Sequence, residues 1–134
     1  MAAQGRKNVH GKTGVRFKAG YTSSKKKNLL RNVATELVVH DKVIVTTSVA
    51  GNLVKVADHL VTLAKCGDLH SRRQASAILR PYVVDAANGD IALDKLFNET
   101  VKRFEGVNGG YAKMLKVANR KGDNAELRLI TWSK

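Results

Sequence analysis

Residues 43–67, VIVTTSVAGNLVKVADHLVTLAKCG, decide how the chain folds. Val43, Ile44, Val45, Thr46 and Thr47 are all β-branched, and such a short run reads as a strand. Thr47 or Ser48 can then cap a helix, because their hydroxyls accept from free N–H groups of a first turn. Val49, Leu53, Val56, Ala57, Leu60 and Ala64 keep a helical period, and Gly67 closes the run at the position that favours left-handed backbone. A strand passing directly into an amphipathic helix calls for a mixed architecture with one shared core.

Upstream, Leu30, Val33, Ala34 and Leu37 fall on one helical face, which predicts a helix from a cap at Ser23 or Ser24 to about Val39. Downstream, Asp68 can cap a third helix running from Leu69 to about Arg80, where Pro81 stops it. Val83 to Gly89 reads as a loop, and Asp90 as the cap of a fourth helix ending at Gly106. Leu93, Leu96, Phe97, Thr100, Val101 and Phe104 form the face of that helix. Two strands follow, about Tyr111–Val117 and Ala125–Trp132, joined by the turn-rich run Asn119 to Asn124. No internal repeat is present. The expectation is an α+β fold, about four helices packed on a small three-stranded sheet, with a basic extended N-terminal arm. Residues 1–20 form the arm and residues 21–134 a single domain.

Charge is distributed unevenly. The chain of 134 residues holds 24 Lys+Arg against 11 Asp+Glu, a formal net charge of +13. Nine of the cations lie in residues 1–35, which contain no acid, and the first carboxylate is Glu36. Residues 2–20 contain four glycines and no helical or alternating period, so they order only against a surface of opposite sign. Lys25, Lys26 and Lys27 stand where a helix N-terminus ordinarily favours acids. Lysines there make sense when phosphate lies over the helix end, among its free N–H groups. Leu96, Phe97, Phe104 and Trp132 read as core.

Other chemistry finds little support. The single Cys66 excludes an intramolecular disulfide and any zinc site with two thiolates, and it reads as a small buried filler. His10, His40, His59 and His70 are scattered, so neither a metal site nor a catalytic residue is expected, and no cofactor. Gly11-Lys12-Thr13 lacks the earlier glycine of a phosphate-binding loop, since Arg6 stands there. No apolar run approaches the roughly 18 residues of a membrane span, and no apolar signal segment follows Met1. Neither membrane insertion nor a small-molecule substrate is expected.

Leu63-Ala64-Lys65-Cys66-Gly67-Asp68-Leu69-His70-Ser71-Arg72-Arg73-Gln74-Ala75 closely resembles the central signature of the bacterial large-subunit ribosomal protein seventeen family. Lys95-Leu96-Phe97, Gly109-Gly110-Tyr111, Met114-Leu115-Lys116 and Arg120-Lys121-Gly122-Asp123-Asn124-Ala125 follow in the same order. The resemblance runs from about Lys18 to Trp132. The chain departs from the pattern in its sequence ahead of Gly20, in Tyr21 where Arg is common, and in Lys25-Lys26-Lys27 where a His-Arg pair is common. Lysine keeps the charge but loses arginine's bidentate grip on phosphate.

The resemblance implies a structural, non-catalytic constituent of the large ribosomal subunit in the cytoplasm. Its partners are large-subunit ribosomal RNA and neighbouring large-subunit proteins. From their acid-free charge rather than from the resemblance, Arg6, Lys7, Lys12, Arg16 and Lys18 of the arm are RNA-binding candidates. So are Lys25, Lys26, Lys27 and Arg31 of the first helix, Arg72 and Arg73 of the third, and Lys113, Arg120 and Lys121 of the last two strands and their turn. Contact is expected through backbone phosphates and RNA shape, since only 5% of the residues are aromatic, too few for a stacking platform. The rival is a DNA-binding architectural or regulatory protein, with the Gly67-Asp68 break standing for a helix-turn-helix. A small RNA-processing enzyme using Cys66 or His70 is the remaining possibility.

Overall fold

The structure, a computed structural model, describes residues 22–134. The basic arm expected over residues 1–20, with Arg6, Lys7, Lys12, Arg16 and Lys18, lies outside them. The order is α1 (Ser23–His40), β1 (Lys42–Thr46), α2 (Thr47–Cys66), α3 (Leu69–Ile78), β2 (Val83–Asp85) and β3 (Asp90–Ile91). A continuous helical segment follows: α4 (Ala92–Lys95), a π-helical turn (Leu96–Thr100) and α5 (Val101–Arg103). β4 (Ala112–Asn119) and β5 (Glu126–Trp132) complete it. The α+β architecture matches the expectation.

Helix ends follow local chemistry, with small shifts from the sequence reading. Thr22, one residue earlier than expected, caps α1, its Oγ1 accepting from the Lys25 N–H at 3.4 Å. Asp41 ends α1 in left-handed backbone at φ 62°, a conformation short polar residues tolerate. Gly67 ends α2 at φ 70°, its N–H donating to the Leu63 carbonyl at 3.4 Å. Asp68 is the cap residue of α3, as expected, although its side chain makes no capping bond. α3 stops at Ile78 rather than near Arg80. Arg80 precedes Pro81, which disfavours helical backbone at Arg80, and the Arg80 N–H donates instead to Thr35 Oγ1 at 2.9 Å.

The segment read as a loop at Val83–Gly89 is in part a strand. β2 pairs antiparallel with β3 in a two-stranded ribbon. Asp90 therefore belongs to β3 rather than capping the fourth helix. Asp94 takes over that role, its Oδ2 accepting from the Ile91 N–H at 3.3 Å. Three of its five residues, Val83, Val84 and Ile91, are β-branched, but strands of three and two residues give too short a run to read from sequence.

The main sheet is antiparallel in the order β1-β5-β4. Val43, Ile130 and Met114 lie in one register across it, and Ile44, Leu129 and Leu115 in the next. The helices cover the face carrying Ile130 and Trp132, both buried with Leu37, Leu53, Leu60, Val61, Leu96 and Phe104. Burying each such side chain stabilises the fold by about 1.5–3 kcal/mol. Phe104 packs edge-on against Tyr111 at 5.2 Å and Trp132 at 5.9 Å between ring centroids. Asp58 of α2 pins the start of β4, its Oδ1 accepting from the N–H groups of Tyr111 at 3.0 Å and Ala112 at 3.1 Å.

Leu96, Phe104 and Trp132 are core as expected, whereas Phe97 is only half-buried. Cys66 is exposed, correcting its reading as a buried filler. It is the last residue of α2, beyond the point where the helix packs.

Candidate nucleic-acid interface

The first turn of α1 carries no acid, and Lys25 and Lys27 are exposed there. The helix dipole and these lysines share one sign, so the end of the helix is a concentrated positive region. It opens onto a groove of about 400 Å³ between α1, α2 and α3. Lys26, Lys27 and Arg31 line the groove from α1, and Asn52, Lys55 and His59 from α2. Leu30, Val56, Ala77 and Ile78 form its apolar floor. No carboxylate lines it. Arg31 Nε–H donates to the Ile78 carbonyl at 3.1 Å, which ties α1 to the end of α3 and fixes the guanidinium at the groove.

Arg72 and Arg73 are adjacent in sequence but differently placed. Arg72 forms an ion pair with Asp94, and its guanidinium lies 5.3 Å from the centre of the Phe97 ring. It therefore clamps α3 to α4. Arg73 is exposed, one helical turn before Ala77, so it extends the positive groove face. Arg80, half-buried further along, donates to Asn32 and Asn28 of α1 at 3.0 Å each.

Lys113, Arg120 and Lys121 do not line the groove. Lys113 is exposed at the base of β4, and Arg120 and Lys121 are exposed in the β4–β5 turn, roughly 25 Å away along the strand. Arg120 is engaged with Asp123 through two bonds, Nε–H to Oδ1 at 3.0 Å and Nη2–H to Oδ2 at 2.5 Å. The Arg120 guanidinium, helped by the Ala125 N–H, lowers the Asp123 pKa from 3.8 to about 2. The same hydrogen bond raises the Arg120 pKa. Glu126 is held below its ordinary value chiefly by Lys116 at 3.2 Å, with Arg128 at 2.8 Å adding to it.

Of the candidates named from the sequence, Lys26, Lys27 and Arg31 line the groove, together with Lys55, His59 and Asn52, which the sequence reading did not name as such. Asn52, Lys55 and His59 are spaced as one helical stripe, a signal present in the sequence. That the stripe faces the basic end of α1 depends on packing. Among the described residues, no group of three His, Cys, Asp or Glu side chains is arranged to hold a metal ion. No described helix is long and apolar enough to cross a membrane.

The described residues thus form an α+β domain with an acid-free helix end, a cation-lined groove and a charged hairpin tip. Comparison with known proteins gives the particular class. The family model described as ribosomal protein L17 matches residues 29–132, and the chain belongs to that family. A large ribosomal subunit protein bL17 from Mycoplasma capricolum subsp. capricolum is 47% identical over 113 residues, covering 84% of this chain and 93% of the relative. The bL17 of Halalkalibacterium halodurans is 42% identical over 113 residues, covering 84% of this chain and 94% of its own length. That of Shouchella clausii is 41% identical over 115 residues, with 86% and 96% covered. Membership makes the chain a structural ribosomal protein rather than an enzyme.

Proposed function

We propose that this chain is a structural constituent of the large subunit of the cytoplasmic ribosome, binding large-subunit ribosomal RNA through backbone phosphates and RNA shape. The observation that carries the RNA contact is the convergence of Lys26, Lys27, Arg31 and Lys55 on one groove without a carboxylate, beside the acid-free end of α1. Lysine and arginine neutralise phosphates and release condensed counterions, so affinity falls steeply with salt. Arg73, Lys113, Arg120 and Lys121 add contacts at separate points, which suits a folded RNA surface better than a straight duplex. The arm residues Arg6, Lys7, Lys12, Arg16 and Lys18 extend the same reading.

Against the DNA alternative, Arg72 is turned toward Asp94 and Phe97, so α3 lacks a free pair of adjacent arginines for a major groove. Neighbouring large-subunit proteins complete the reading. The row Ile44, Leu129 and Leu115 on the outer sheet face, with Ile44 56% and Leu115 46% exposed, supports an apolar contact of that kind. The test is filter binding of the full chain to large-subunit ribosomal RNA and to duplex DNA of equal length across a salt series. The reading predicts tighter binding to the RNA at every salt concentration. Equal binding to both would overturn it.

A further inference from the structure

A surface that meets phosphates alone needs charge but no apolar depression. Here the cations ring a floor made by Leu30, Val56, Ala77 and Ile78. A base offers one flat apolar face and polar edges, and its flanking phosphates are anionic, so the groove matches all three features together. We propose that the groove between α1, α2 and α3 takes one unstacked nucleotide of RNA. The inference rests on the RNA-binding reading above and names the nucleic-acid feature that this site recognises.

In this arrangement the base lies on Leu30, Val56 and Ile78, and its neighbouring phosphates meet Lys27, Lys55 and Arg31. Arg31 is already anchored to the Ile78 carbonyl, so its charge is in place before RNA arrives. Asn52 and His59 stand on the α2 wall and supply hydrogen-bonding groups for a base edge. Charge complementarity favours a nucleotide over an apolar protein segment, because the groove holds three lysines and an arginine and no acid. Single-stranded or bulged nucleotides are the part of a folded RNA whose bases are available for such capture.

The test uses the full chain and a large-subunit ribosomal RNA transcript, with filter binding across a salt series and chemical probing of unpaired bases. Ala77→Leu crowds the groove from an exposed position on α3 without changing charge or adding an aromatic face on which a base could stack. It should weaken binding about tenfold at every salt concentration and restore reactivity to one unpaired base that the unaltered protein protects. The slope of log affinity against log salt should stay the same. Lys55→Ala should instead reduce that slope by roughly 0.7–0.9. Leu30→Ala strips the floor rather than filling the space, and it must give the same base-selective loss, which keeps the test decisive should Ala77→Leu disturb packing. Unchanged affinity and protection in both apolar variants, with RNA binding intact, overturns the nucleotide site and leaves the RNA-binding reading standing. No binding of the unaltered chain to the transcript overturns both.

Discussion

Arg72 and Arg73 show how two adjacent cations acquire different work from the direction of one helix. Arg72 spends its guanidinium on Asp94 and the Phe97 ring, whereas Arg73 is exposed beside the groove. Arg72→Ala should therefore cost about 0.5–1 kcal/mol of stability in urea denaturation, a modest figure because the pair is partly solvated. Arg73→Ala should leave the urea midpoint unchanged and lower affinity for ribosomal RNA in filter binding. The reverse pattern would mean that the clamp is not where the structure puts it. Asp123 gives a pH prediction of definite sign. Its carboxyl is depressed by Arg120, so its contribution to the hairpin turn is complete above the ordinary value of 3.8 and is lost as pH falls through about 2. Carboxyl-carbon NMR should show Asp123 titrating near 2, and Arg120→Ala should return it toward 3.8.

At the scale of elements, α1 is the part whose sequence is unfavourable until a ligand is considered. Three lysines in an acid-free first turn oppose the helix dipole. Replacing Lys25, Lys26 and Lys27 together by alanine should reduce the salt slope of RNA binding by about two to three and leave helix content by circular dichroism unchanged. An unaltered slope would remove this element from the interface. The elements also show what a sequence discloses. α2 and the strand before it were legible because the β-branched run ends where the helical period begins. Cys66 was misread because apolar neighbours suggest burial, while the end of the helix exposes it. The β2–β3 ribbon escaped notice because its pairing depends on the turn between Asp85 and Asp90 more than on strand propensity. Lys55 and His59 were visible as a stripe on α2, but only the packing of three helices sets that stripe opposite Lys26, Lys27 and Arg31.

Across the whole molecule, the buried cluster around Phe104 and Ile130 holds α1, α2, α3, the α4–α5 segment and the main sheet in one body, and most of the positive residues are carried on its outside. Sequence order alone placed the cations on elements. Burial then divided them into those that tie helices together, such as Arg72 and Arg80, and those that face outward, such as Lys27, Arg73 and Lys121. The fold supplies a rigid scaffold, so RNA attachment and folding should separate experimentally. The most direct measurement is sedimentation of the full chain with large ribosomal particles through washes of rising salt. The protein should pellet with the particles at low and moderate salt and be released only as ionic strength rises. A chain that stays in the supernatant at low salt while the particles pellet would contradict it.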